Sequence, residues 1–165
     1  MVIRYAVKED AQKFWNLMKA LDQETTYMLY EPDERVEDLR MPQRVIDAAV
    51  NGGNLLAFAE EGEELAGFLS AGREALRRNR HCAYLVCGVR EKYWGRGIAK
   101  MFFRMLDDWA EESGVKRVEL TVRKDNFVAR HVYERHGFAY EGEHKMAMFI
   151  DGKYYSEVHM AKLYD

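Results

Sequence analysis

Residues 89–100 read VREKYWGRGIAK: a short apolar strand ends at Val89 and an amphipathic helix begins a few residues on. The first amides of a helix have no intrahelical partner and sit at the positive end of its dipole, so this mouth suits an anion such as phosphate. Gly95 and Gly97 lack the Cβ atoms that would hold a phosphate away from the backbone, and Arg96, Lys100 and Arg90 add positive side chains. The same glycines also suit a loop that only turns, and short glycine patterns recur by chance. Two nucleotide motifs are excluded. Nothing in the chain fits G-x-x-x-x-G-K-[ST]. GRGIAK begins like G-x-G-x-x-G but has Lys100 where the third glycine belongs. Glu119 falls near the spacing of a ribose-binding acid, yet its strand KRVELTVR alternates polar and apolar residues, unlike a doubly covered parallel strand.

The elements that must position this turn follow from the pattern along the chain. VIRYAV alternates as a strand, and Asp10 reads as the N-cap of a helix carrying Phe14, Leu17, Met18 and Leu21. Residues 22–42 hold both prolines, many acids and the aromatics Tyr27 and Tyr30, and read as irregular or only briefly helical. PQRVIDAAV is a short helix stopped by Asn51-Gly52-Gly53. NLLAFAE and ELAGFLSAG flank a hairpin turn, and HCAYLVCGV is the next strand. Ile98, Met101, Phe102, Met105, Leu106, Trp109 and Ala110 mark the core face of the following helix. After KRVELTVR, a helix from about Asn126 stops at Gly137, and two long strands meet at Asp151-Gly152. The order β-α-α-β-β-β-α-β-α-β-β predicts an α/β (α+β) fold: a mixed, mostly antiparallel seven-stranded sheet flanked by about four helices.

The totals bound what such a domain does. At 165 residues it is expected to be one domain with a sizeable core. A net charge of -3 gives no general electrostatic case for nucleic acid, and EALRRNR reads as a solvated loop. No apolar run has the length of a membrane span, and MVIRYAVKED does not read as a signal peptide, so the expectation is a soluble, cytoplasmic protein. Cys82 and Cys87 lie on one strand with Cα atoms roughly 16 Å apart, beyond disulfide reach. Without histidines at ligand spacing they also make a poor metal site, and they read as free thiols in a reducing compartment.

With these residues in view, VREKYWGRGIAKMF resembles the pyrophosphate motif of the GNAT family of N-acetyltransferases, [RQ]-x-x-G-x-[GA] after a strand. Gly97 and Ala99 match it, and Trp94 stands where Arg or Gln is usual. NFVARHVYERHGF resembles the family's second motif at Asn126, Ala129, Tyr133, Gly137 and Phe138, and EGEHKMAMFIDGKYYSEVHMAKL resembles the closing hairpin of the branch that acetylates ribosomal proteins, diamines and amino acids. The resemblance covers nearly the whole chain. It implies acetyl-CoA as co-substrate, with no metal, in a central strand pair that splays apart. Backbone groups of Cys87 and Val89 would hold the pantetheine arm; Trp94, Gly95, Arg96, Gly97, Ile98, Ala99 and Lys100 would hold the pyrophosphate, with Asn126 also at the cofactor. It further implies a homodimer through the last strands.

An amine attacking a thioester needs a neutral nucleophile, a polarised carbonyl and a proton for the departing thiolate. The family position makes Tyr133 the expected proton donor; it lies seven residues after Asn126 and so shares that face of the helix. As a plain structural residue it would be a core tyrosine with its hydroxyl at the surface. No base is assigned. His81, Tyr84 and the thiols on the strand before the turn are the nearby titratable groups, and Cys87 reads as apolar packing rather than an acyl acceptor. Glu24, Tyr27, Tyr30 and Glu31 are the candidate acceptor-binding residues, with Glu24 and Glu31 able to bind or deprotonate an amine through water or simply to be surface acids. The expected function is direct acetyl transfer from acetyl-CoA to a primary amine of a small molecule, of amino-acid or polyamine type. Acetylation of a protein N-terminus, or silent acyl-CoA binding, are the alternatives, and neither membrane nor nucleic acid is an expected partner.

Overall fold

The computed structural model describes residues 1–165. In chain order the elements are β1 (Val2–Tyr5), α1 (Ala11–Glu24), α2 (Arg40–Val50), β2 (Leu55–Glu61), β3 (Glu64–Arg73), β4 (Cys82–Val89), α3 (Ile98–Ser113), β5 (Arg117–Arg123), α4 (Phe127–Arg135), β6 (Ala139–Ile150) and β7 (Lys153–Leu163). This is the order the sequence predicts. The seven strands lie in the order β1-β2-β3-β4-β5-β7-β6. The β4–β5 pair is parallel, and the other registers resolved, β1–β2, β2–β3, β5–β7 and β6–β7, are antiparallel. The chain divides into two compact units, Met1–Gly72 with Val86–Trp109, and Arg73–Leu85 with Ala110–Asp165.

In the first unit, the α1 residues read as apolar from their spacing do bury: Phe14, Leu17 and Leu21 pack with Ile46 of α2 and with Leu56, Phe58, Leu65 and Phe68 of the β2–β3 hairpin. The Phe14 ring lies 5.1 Å from Phe58 and 5.2 Å from Phe68, in tilted and edge geometries that aromatic pairs prefer. Asp10 stands at the N-cap position of α1 but does not cap it. Its carboxylate instead accepts two hydrogen bonds from the Arg4 guanidinium, at 2.7 and 2.8 Å, and one from the Val7 amide at 2.8 Å. The cation won the carboxylate because a bidentate charged pair is stronger than a neutral cap. In α3, Ile98, Phe102, Leu106, Trp109 and Ala110 are buried as predicted. The stripe is rotated slightly from the sequence reading, however: Phe103 is buried and Met101 is 40% exposed.

In the second unit, β5 shows the alternation read from its sequence. Val118, Leu120 and Val122 are buried on one face, and Leu120 and Val122 stand opposite Met160 and Val158 of β7, which are also buried. Arg117, Glu119 and Thr121 are on the other face. The hairpin between β6 and β7 turns through Asp151 and Gly152 at φ +49° and +76°, the two positive values of a two-residue turn of this kind.

Arg4 also donates to Glu60 at 2.6 Å, and Lys13 donates to the other oxygen of Glu60 at 2.6 Å. These two hydrogen bonds pull the Glu60 carboxyl down to about 2 from its ordinary value of 4.5. Burial alone would raise the Asp10 carboxyl, but Arg4 and the Val7 amide outweigh it and hold that group below its usual range. A carboxylate with a lowered folded pKa contributes stability that is fully present above its unfolded pKa and is lost as pH falls through the folded one. Glu60→Gln is therefore expected to lower stability at neutral pH and to flatten its fall between pH 4.5 and about 2, so that the two proteins converge at the acid end. Chemical denaturation across that range checks this; a constant difference down to pH 2 would mean the glutamate acts by packing alone.

Candidate functional site

The turn after β4 is built by backbone conformation first. Gly95 and Gly97 have φ of +74° and +77°, where a side chain is strained, and a Cβ on either would meet nothing within 4 Å. The space above both is open, which is what close approach of a ligand to the backbone requires. From Gly95 to Lys100 the amides have no acceptor within the protein; the next, Met101, bonds back to Gly97 at 3.4 Å. The buried Ile98 side chain fixes where α3 starts. Six successive donors at a helix N-terminus, facing open space, fit a pyrophosphate.

Several residues assigned to this site from sequence do something different. The Trp94 amide donates to Glu91 O at 3.0 Å, so the run of free amides begins one residue later than expected. Its indole Nε1–H donates to Val89 O at 2.8 Å, which occupies a carbonyl expected to face the pantetheine arm. Where Arg or Gln is usual, Trp94 thus supplies a clasp that folds the turn back on its strand. Arg90, read as a further cation for the anion, is held by Glu24 at 2.8 Å and by Glu64 at 3.3 Å. Lys92 also pairs with Glu64, at 2.7 Å. Arg96 lies over the Tyr93 ring at 5.1 Å and 3.6 Å from Glu61. Lys100 is exposed and makes no ion pair, and it is the cation of this turn left open to a phosphate.

The acceptor-side candidates divide in the same way. Glu24 is not a free base: besides Arg90 it accepts the Glu91 amide at 3.2 Å, so it fastens the end of α1 to the start of the turn. Residues 25–39 are irregular, as predicted, and are tethered by a pair the sequence reading missed. Arg35 donates to Asp22 at 2.5 and 3.1 Å, with the Asp22 side chain fully buried, and its guanidinium lies 4.2 Å from the Tyr30 ring centroid. Tyr27 and Glu31 are exposed on this tethered segment. Cys87 is half-buried, and desolvation pushes its thiol pKa up to about 12; it is a thiol at neutral pH and not an acyl acceptor. His81 lies exposed in the loop before β4.

In the second unit, the Asn126 side-chain oxygen accepts from the Ala129 amide at 3.1 Å, so this residue caps α4 and its amide nitrogen remains as a donor. The other end of α4 explains the rest of the motif. Gly137, at φ +91°, donates to Glu134 O at 3.1 Å, and Phe138 donates to Tyr133 O at 3.1 Å. These are the two bonds of a Schellman cap. The usual apolar contact of that cap is here between the rings of Phe138 and Tyr133, 5.8 Å apart at 58°. Glycine and phenylalanine in the motif therefore fix the ring that carries the Tyr133 hydroxyl.

Beside β4, the Tyr84 hydroxyl takes the amide of Thr121 at 3.3 Å and lies 2.7 Å from its Oγ1. The parallel pairing of β4 with β5 covers three residue pairs, Cys82↔Arg117 to Tyr84↔Glu119, whereas β5 pairs with β7 along its whole length. At Thr121 a side chain replaces a backbone carbonyl as the acceptor.

Comparison with known proteins follows these features. Residues 4–138 match the model of the Acetyltransferase (GNAT) family. L-amino acid N-acetyltransferase AaaT of Escherichia coli is 32% identical over 104 residues, which is 61% of this chain, and the chain spans 62% of that relative's length. Among solved structures, a GNAT-family acetyltransferase from Streptococcus pneumoniae superposes with a TM-score of 0.92 at 25% identity, over 99% of each chain. The yncA protein of Salmonella typhimurium, solved with its cofactor acetyl-CoA, superposes with a TM-score of 0.88 at 18% identity, over 100% of this chain and 94% of that one.

The cap on α4 makes one claim that needs no ligand. A Cβ at Gly137 would sit in the left-handed region and 3.3 Å from Lys162 Cε. Gly137→Ala is expected to cost about 1–2 kcal/mol in urea unfolding and to loosen the Tyr133 ring, seen as loss of shift dispersion in its NMR signals. An unchanged midpoint would show that the cap does not hold the ring.

Proposed function

Because the chain belongs to the Acetyltransferase (GNAT) family, we propose that it is an N-acetyltransferase that moves an acetyl group directly from acetyl-CoA to the primary amine of a small molecule of amino-acid or polyamine type. The observation that carries this is the run of six unpartnered amides over two positive-φ glycines at the start of α3, with Lys100 unpaired beside it. The amino-acid class is supported by the similarity to AaaT.

When bound, acetyl-CoA supplies an acetyl group activated as a thioester. The amides from Gly95 to Lys100 and the Lys100 ammonium hold its pyrophosphate, and the Trp94 clasp keeps their frame from moving as it enters. Binding both reactants in one site makes the reaction one of positioning, with no acyl-enzyme. Tyr133 gives its proton to the departing sulfur. Tyr27, Tyr30 and Glu31, on the segment tethered by Arg35, contribute to the acceptor's surroundings. The enzyme works in the cytoplasm, a reading supported by two free thiols. It does so as a homodimer joined through β6 and β7, where Tyr140, Met146, Phe149 and Tyr154 are exposed.

Two variants separate the donor site from the chemistry. Gly97→Glu puts a carboxylate where the pyrophosphate is held, and Gly97→Ala imposes the backbone strain without the charge. Calorimetry is expected to show acetyl-CoA affinity lost in the first and reduced only modestly in the second. Equal affinity of Gly97→Glu and the unaltered protein would remove the turn from the donor site.

Tyr133→Phe keeps the ring and its contact with Phe138 and removes only the hydroxyl. Turnover near neutral pH is expected to fall by about a hundredfold, with little change in acetyl-CoA affinity or in stability. The loss should shrink at high pH, where thiolate leaves without a proton. Unaltered turnover would make Tyr133 a packing residue.

A further inference from the structure

One face of the second unit carries a charged cluster that the reaction as described does not use. Register places Arg117, Glu119 and Thr121 of β5 opposite Leu163, Ala161 and His159 of β7, and Gly142 and His144 of β6 opposite His159 and Glu157. Cross-strand partners share a face, and β4 adds Cys82 and Tyr84 to it, opposite Arg117 and Glu119. On this face Glu119 Oε2 accepts from Arg117 Nε at 2.7 Å and lies 3.6 Å from His159 Nε2. Arg117 is bidentate to Glu141 at 3.0 and 2.5 Å. The His144 ring is centred 5.9 Å from that of His159, tilted by 52°.

The charges decide what this cluster can do. Arg117 carries one positive charge against the two negative charges of Glu119 and Glu141, so a proton on His159 brings the group to neutrality. Nε2 is the nitrogen turned to Glu119, which leaves Nδ1 as the one to exchange a proton. Both side chains reach solvent, at 23% exposure for His159 and 30% for Glu119. The pair also lies where the β4–β5 pairing ends, since Thr121, whose amide goes to Tyr84, is the cross-strand neighbour of His159. His144 is exposed and makes no ion pair of its own.

We propose that His159 is the base that takes the proton from the acceptor ammonium, and that Glu119 is the positioning residue that orients its imidazole and stabilises the imidazolium. This rests on the amine-acetylating function proposed above. One proton passes from the ammonium to His159 Nδ1, and the freed nitrogen lone pair forms the bond to the acetyl carbon. The carbon–sulfur bond breaks with its electron pair going to sulfur, and the nitrogen sheds its second proton as the amide forms. One proton ends on the thiol through Tyr133, and the other leaves to solvent from His159.

The test uses the whole chain, acetyl-CoA and a panel of free amino acids and polyamines, with thiol release followed from pH 5 to 10. His159→Gln is expected to lower kcat near neutral pH by about a hundredfold and to remove the acid limb of its pH profile, with acetyl-CoA affinity intact. The loss should shrink at high pH, where the amine is already neutral. Glu119→Gln leaves the imidazole in place and removes the charge beside it, so kcat should fall near neutral pH with KM for the amine unchanged, and the fall should shrink at high pH. A purely structural role would lower kcat equally at every pH. Unchanged kcat and acid limb in His159→Gln would overturn the proposal while leaving the acetyltransferase reading in place. If His159→Gln does not fold, a Glu119→Gln protein with unaltered kcat near neutral pH overturns it. No turnover of any amine by the unaltered protein would overturn the functional reading, and this inference with it.

Discussion

Two peptide units that only glycine adopts without strain set the terms for the first half of the molecule. With φ near +75° at Gly95 and Gly97, the chain leaves β4 and enters α3, and the amides from Gly95 to Lys100 stay bare. Everything nearby serves to keep that conformation from collapsing onto itself. The Trp94 indole ties the turn to Val89, Glu24 and Glu64 absorb the charge of Arg90 and Lys92, and Ile98 locks the helix start into the core. The acids matter as much as the bases here. By neutralising two cations they leave the helix terminus and Lys100 as the positive region, which aims the field rather than spreading it.

A second device of the same kind works on α4. The family motif reads as separate letters, Asn126, Tyr133, Gly137 and Phe138, yet the geometry makes them one object: a nine-residue helix capped at both ends, with the Tyr133 hydroxyl on its third-from-last residue. A helix this short has little intrinsic stability. Its two caps and the ring contact supply order where propensity does not, because α4 has no buried residue of its own.

Much of this was legible in the sequence, for physical reasons. Hydrophobic period placed most strands and helices, since a buried face leaves a mark at spacing 2 or 3.6, while α4 was read from its end residues and β6 and β7 from the turn between them. The glycine turn was legible because few residues tolerate its conformation. What stayed hidden were the partners of charged side chains. Asp10 reads as a cap but binds Arg4, six residues away; Glu24 reads as a free acid but meets Arg90, 66 residues away; Asp22 gives no sign that Arg35 will bury it. Spacing carries no information about such pairs, because long side chains choose partners in three dimensions. His159 and Glu119 were silent for the same reason: each is one polar letter in an alternating strand until register brings them together. Met101 and Phe103 exchange places at the edge of the buried stripe of α3, where spacing alone does not decide which side chain turns inward.

The Asp22–Arg35 pair has a bearing on how this protein changes over generations. It pins the irregular segment at one point to the end of α1, through a carboxylate with no exposure at all, while Tyr27, Leu29 and Val36 around it stand out from the surface. Losing either partner leaves a lone charge in the interior, at a cost of about 3–5 kcal/mol, so mutation there is purged. The exposed residues carry no such penalty. Selection can therefore rewrite the surface of the segment residue by residue while its anchor stays put, and a lineage can change that surface without passing through an unfolded ancestor.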